Sequence, residues 1–147
     1  MILNVRHVGI VVSNLEKSIA FYKDLLGFEI ISNTVEPSFF IDKILGLSNA
    51  KLTTVKMRLP EGHILELLHF QSHQDSDIRI KDLVSVGITH FALTVIDIEL
   101  LYTKLINHGV EFINPPEKSP NGRAKVAFCI DPEGNYIEIV QEVNNKK

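Results

Sequence analysis

Two histidines and two glutamates carry the chemistry this sequence could do, and each type occurs once in either half at a matching place. His7 lies in "RHVGIVV" and His90 in "THFALTV". Glu66 is the seventh residue of "PEGHILELL" (60–68), and Glu138 is the seventh of "PEGNYIEIV" (132–140). All four fall in stretches whose alternation suits strands with apolar residues on both faces, so the carboxylates are expected to be partly buried and in need of compensation. If the halves pack about a pseudo-twofold axis, the four side chains converge. A divalent metal there is neutralised by the two carboxylates, and imidazole nitrogens suit Zn, Fe, Ni or Co. Four protein ligands on an octahedral ion leave two positions for water or two substrate oxygens, which is a catalytic arrangement. Taken singly, His7 or His90 is more often a satisfied core or edge residue. Their agreement in repeat position and strand phase is what favours a shared site.

The elements that must position these groups also repeat. The segment "RHVGIVVSNLEKSIAFYKDLLGFEI" (6–30) aligns with "THFALTVIDIELLYTKLINHGVEFI" (89–113). Each reads as a β-branched strand, an N-capping Asn14 or Asp97, and a helix stopped by Gly27 or Gly109. Leu15, Ile19, Tyr22 and Leu26 fall at helical spacing, as do Ile98, Leu101 and Leu105. Further strands are predicted around 28–35, 51–59 and 63–70, then 110–113, 123–130 and 135–141. The two "PEG" triplets supply the turns, with Pro fixing φ and Gly allowing positive φ. The chain is therefore β-α-β-β-β written twice, an α+β fold. Its modules span about 1–70 and 88–147 within one 147-residue domain. The linker is about 71–87, with a short helix predicted at "IRIKDLVS" (78–85). The segment "EPSFFIDKILGLSNA" (36–50) has no counterpart in the second half. Phe39 and Phe40, within it, are candidates for an apolar lid contacting substrate; a helix covering the sheet edge is the equal alternative.

Composition bounds the partners. A hydrophobic content of 45% with 22% charged residues is that of a globular chain. A formal charge of −3 with scattered Lys and Arg argues against nucleic acid and anionic membrane as partners. Cys129 is the only cysteine, so no intrachain disulfide forms and a cytoplasmic location is expected. Set in the strand-like "KVAFCID", it reads as an inert buried thiol. The opening "MILNVRHVGIVV" is too short an apolar run for a signal peptide or membrane span. His63, His69, His73 and His108 lack repeat partners and read as surface or loop residues. In the loop "PEKSPNGRAKV" (116–126), Arg123 and Lys125 are the candidates for holding an anionic substrate group, against the plain alternative of solvated turn charges.

The motifs "RHVGIVV", "SIAFYKDLLGFEI", "ILELL", "THFALTV" and "DPEGNYIEIVQ" resemble the vicinal oxygen chelate superfamily, which includes glyoxalase I, bleomycin resistance proteins and extradiol dioxygenases. The resemblance implies two βαβββ modules forming a cupped mixed sheet around a central site, with helices outside. By position it implies His7, Glu66, His90 and Glu138 as ligands of one divalent transition metal (Zn, Ni, Co, Fe or Mn). The set is closer to glyoxalase I than to methylmalonyl-CoA epimerase, which usually has glutamine at the second place. Val11 and Phe70 stand where bacterial glyoxalase I typically has an arginine and an asparagine, the arginine holding glutathione's carboxylate.

The expected function is that of a metal-dependent isomerase or lyase moving a proton beside a carbonyl of a small oxygenated substrate. Glu138, with Glu66, is the expected proton carrier. The alternatives are a metal-free drug- or metabolite-binding protein and an iron-dependent dioxygenase. The second glutamate argues against the dioxygenase, whose iron takes two histidines and one carboxylate. A homodimer is expected from the exposed sheet edges of such modules.

Overall fold

The structure is a computed structural model that describes residues 1–75 and 82–143. The chain forms two compact units, Met1–Asp77 and Ile78–Lys147.

In the first unit, β1 (His7–Val11) leads through Asn14 into α1 (Leu15–Ile19), which continues as a π-helical stretch, Ala20–Leu25. The Asn14 carboxamide oxygen accepts from the Lys17 N–H at 3.0 Å and so caps the first turn. Gly27 ends the helix at φ 81°, a conformation that carries no Cβ penalty in glycine. The chain then forms β2 (Glu29–Val35), α2 (Ser38–Leu45), β3 (Leu52–Arg58) and β4 (Ile64–Phe70). The sheet order is β1-β4-β3-β2, with β1 parallel to β4 and the other pairs antiparallel. Val55, Met57, Leu65 and Leu67 form one buried face. Phe21, Tyr22 and Phe28 join the core edge to face, with ring centroids 5.0 and 5.9 Å apart.

The second unit repeats the plan with β5 (His90–Thr94), α3 (Ile98–Asn107), β6 (Glu117–Lys118), β7 (Ala124–Ile130) and β8 (Tyr136–Glu142). Its order is β5-β8-β7-β6, again with the first pair parallel. Asp97 caps α3 by accepting from Leu100 N–H at 3.0 Å, and Gly109 follows the helix at φ 77°. Ile98, Leu105, Ala127, Cys129, Ile137 and Ile139 make the core. The two four-stranded mixed sheets with few helices are the expected tandem βαβββ architecture.

Two local expectations need correction. The strand predicted at 110–113 is only a bridge, Phe112 to Cys129, and regular pairing waits for the two-residue β6. Pro115 and Pro116 lie between the bridge and β6, and prolines have no N–H to offer a ladder. The helix predicted at 78–85 lies partly outside the described residues. Its described end is a turn, in which Ser85 N–H donates to the Asp82 carbonyl at 2.9 Å. No helix among the described residues is long and apolar enough to cross a membrane.

Candidate functional site

Strand register sets the first pair. Gly9 on β1 lies beside Glu66 on β4, and His7 lies beside Ile64, two residues back on the same face. Gly9 leaves open the space over which the imidazole leans, since a Cβ there would meet Leu68 Cδ1 at 3.3 Å and His7 Cδ2 at 3.9 Å. The result is His7 Nε2 at 3.2 Å from Glu66 Oε2. The other carboxylate oxygen, Oε1, stands 3.5 Å from Lys56 Nζ, because Lys56 on β3 is the cross-strand partner of Glu66. The Glu66 side chain is 13% exposed and has a partner at each oxygen.

The second unit places its pair by the same register, with Ala92 beside Glu138 and His90 beside Tyr136. His90 Nε2 lies 3.5 Å from Glu138 Oε2. Its Nδ1 lies 2.9 Å from Thr89 Oγ1, and its ring meets Phe128 edge to face at 5.2 Å. In the tautomer whose Nδ1–H donates to Thr89, the Nε2 lone pair faces a carboxylate and a cation between them relieves the arrangement; in the other, Thr89 donates to Nδ1 and Nε2–H donates to Glu138. Metal–donor distances of about 2.0–2.1 Å put neighbouring donors on one ion about 2.9–3.4 Å apart. One pair falls inside that range and the other just beyond it, while both are long for a charge-assisted hydrogen bond (about 2.7–2.9 Å). Each pair can therefore supply two neighbouring metal donors. Within neither unit does a third His, Cys, Asp or Glu join the pair among the described residues.

The sequence matches the model of the Glyoxalase/Bleomycin resistance protein/Dioxygenase superfamily over residues 4–139. The chain belongs to this superfamily. It is 28% identical over 141 residues to a probable lactoylglutathione lyase of Synechocystis, covering 95% of this chain and 96% of that protein. It is likewise 28% identical to the lactoylglutathione lyase of Schizosaccharomyces pombe, over 95% of this chain and 48% of that longer protein. A glyoxalase family protein of Bacillus cereus has the same fold, with a TM-score of 0.89 at 23% identity and coverage of 98% and 97%.

In this superfamily member the other sequence candidates are distributed unevenly. Lys125 sits on the helix-facing side of β7, where its Nζ pairs with Glu99 at 2.7 Å, so it does not share the face of Glu138. Arg123 is exposed in the turn before β7 and its backbone N–H donates to Asn121 Oδ1. Phe39 and Phe40 lie on α2, 79% and 49% exposed. The α2 residue that packs down is Ile41, against Leu52, Leu68 and Phe70, and Leu68 and Phe70 share the β4 face of Glu66. The insertion thus covers one end of the site-bearing face through Ile41. Val11, at the end of β1, is exposed on the His7 face, and Phe70 is held in the α2 cluster. Cys129 is fully buried. Burial, and then the Asp131 charge, push its thiol up to about 12.

Lys56, Thr89 and Phe128 escaped the sequence reading. The signal for Lys56 was available, since it and Glu66 are equidistant from Glu61 in the "PEG" turn of an antiparallel hairpin.

Proposed function

We propose that this protein is a metal-dependent lyase or isomerase of the glyoxalase I type. In this reading it moves a proton beside a carbonyl of a small oxygenated substrate. The observation that carries it is the repeated pair, His7 with Glu66 and His90 with Glu138, set by the same register in both sheets. These four residues would hold one divalent transition metal, which supplies Lewis-acid polarisation of the carbonyl when bound. The lactoylglutathione lyase names of two relatives support the reaction class.

The two carboxylates divide the work. Glu66 is engaged at both oxygens, by His7 and by Lys56, and serves as the fixed ligand. Among the described residues Glu138 meets its partner at Oε2 alone, and its side chain is a quarter exposed, so it is the group that takes the proton from carbon and returns it. His90, steadied by Thr89 and Phe128, keeps Glu138 in place.

Lys56 favours a second reading, a metal-free binding protein, because its ammonium compensates Glu66 without an ion. Elemental analysis of metal-replete protein separates the two. About one divalent ion per chain is expected, and protein that neither carries nor takes up metal would leave only the binding role. We further place the protein in the cytoplasm, where a chain with a single buried thiol needs no oxidising compartment. It is proposed to act as a homodimer, since among the described residues β1 pairs with β4 alone within its sheet and β5 with β8 alone. A monomeric mass in light scattering at micromolar concentration would count against pairing.

A further inference from the structure

Lys56 and Phe128 occupy the same place in the two units, each the cross-strand partner of the site glutamate. Two residues along, Arg58 lies opposite Ile64 while its counterpart Ile130 lies opposite Tyr136. The two sheets therefore carry the same donors in opposite surroundings. Unit 1 adds two cations to the site-bearing face, and unit 2 adds an aromatic ring and an aliphatic side chain.

Lys56 has N–H donors to spare beyond its contact with Glu66. Its contact of 3.5 Å is loose, the side chain is 40% exposed, and an ammonium has three N–H donors to direct. Arg58 is exposed beside Glu29, its register partner on β2, which leaves Lys56 as the cation nearest the donor pair. We propose that Lys56 is a specificity-determining residue that holds the carboxylate of a small 2-oxo or 2-hydroxy acid; the proposal rests on the metal-dependent reading above. Lys56 Nζ touches one oxygen of Glu66 while the other oxygen faces His7 Nε2. The Glu66 carboxylate alone thus separates Lys56 Nζ from His7 Nε2. The charge of an anion on Lys56 must belong to the few atoms around the reacting carbonyl, not to the far end of an extended thiol conjugate. Phe128, in the equivalent place, offers no such contact, so the charge is recognised on the Lys56 side alone.

The test compares two chelating probes on full-length metal-loaded protein by calorimetry, anionic oxalate and neutral acetohydroxamate, with metal content measured alongside. Lys56→Met should keep the wild-type metal content and bind acetohydroxamate within about twofold of wild type. Its affinity for oxalate should fall about 10- to 100-fold, the range a charge-assisted hydrogen bond supplies. Lys56→Arg should recover most of it. Equal changes for both probes, or none, would overturn the assignment while leaving the metal site standing. Loss of metal in Lys56→Met would overturn it differently, by showing that Lys56 acts through Glu66 alone and not on the substrate. A wild type that takes up no metal would remove the metal-dependent reading and this inference with it.

Discussion

Glu138→Gln should change the sign of its effect on stability when metal is added. The Glu138 side chain is three-quarters buried, and the His90 imidazole nitrogen lies 3.5 Å from its carboxylate. Glutamine has nearly the same shape and no charge to desolvate, so the metal-free variant should equal wild type or exceed it by up to about 1 kcal/mol. A divalent ion at 100 times its Kd adds about 2.7 kcal/mol to whatever binds it. At about 2–4 °C per kcal/mol for a chain of this size, the wild-type Tm should rise about 5–11 °C. If the amide weakens the ion a hundredfold, the same concentration gives about 0.4 kcal/mol, and the variant rises only about 1–2 °C. Melting curves of both proteins, dialysed against chelator and then supplied with Zn or Ni, measure all four states. Glu66→Gln is the control, because it breaks the half-exposed Lys56 contact and should cost about 0–1 kcal/mol before any metal is added. Equal metal-induced shifts in wild type and Glu138→Gln would refute the assignment of Glu138 as a ligand. So would a metal-free variant clearly less stable than wild type, since protein partners would then be holding the carboxylate.

Other consequences can be checked separately. Turnover of the hemithioacetal of methylglyoxal and glutathione should be weak even with Ni or Zn, because Val11 is exposed and apolar and Phe70 is packed under α2; robust turnover would return glutathione to the substrate list. Proton exchange beside the carbonyl of a small 2-oxo acid should be detectable by NMR and vanish in Glu138→Gln. Ile41→Ala should cost about 2–4 kcal/mol in denaturant titration and loosen α2, whereas Phe39→Ala should stay within about 0.5 kcal/mol. Cys129 should resist thiol reagents at pH 8 until the protein unfolds, given a thiol pushed up to about 12. Between about pH 9 and 12 the folded state holds a proton that the unfolded state has lost. Stability should therefore fall with rising pH by up to about 1.4 kcal/mol per unit, and Cys129→Ala should flatten that slope.

The repeat was legible because both copies kept the local signals that make its elements. Asn14 and Asp97 cap their helices, Gly27 and Gly109 follow them at positive φ, and five of the predicted strands lie within one residue of those observed. The exception, 110–113, failed where two prolines intervene and period-two patterning no longer implies a ladder. The two His–Glu pairings were legible from repeat position, but their surroundings were not. The anionic-group candidates Arg123 and Lys125 lie in a stretch rich in turn residues, and Lys125 belongs to the helix side of its strand. Lys56 was passed over because a lysine in a strand reads as a solvated charge unless its hairpin register is worked out.

That register also explains how a duplicated module can serve an asymmetric reaction. In the proposed reaction Glu66 stays and Glu138 moves, and identical surroundings in the two units would not set them apart. The backbone plan is the same in both units, with a small residue beside each glutamate and a histidine leaning over it from two residues back. The divergence lies one strand further in. Lys56 stands 3.5 Å from the second oxygen of Glu66, while Phe128 in the equivalent place packs on His90. If this single cross-strand position sets the two roles, exchanging it should exchange them. The double variant Lys56→Phe with Phe128→Lys should still bind metal but should shift the dependence of proton exchange from Glu138 toward Glu66, read by adding Glu66→Gln or Glu138→Gln to it. Retention of the wild-type dependence in that background would mean that something other than the cross-strand neighbour decides which carboxylate moves.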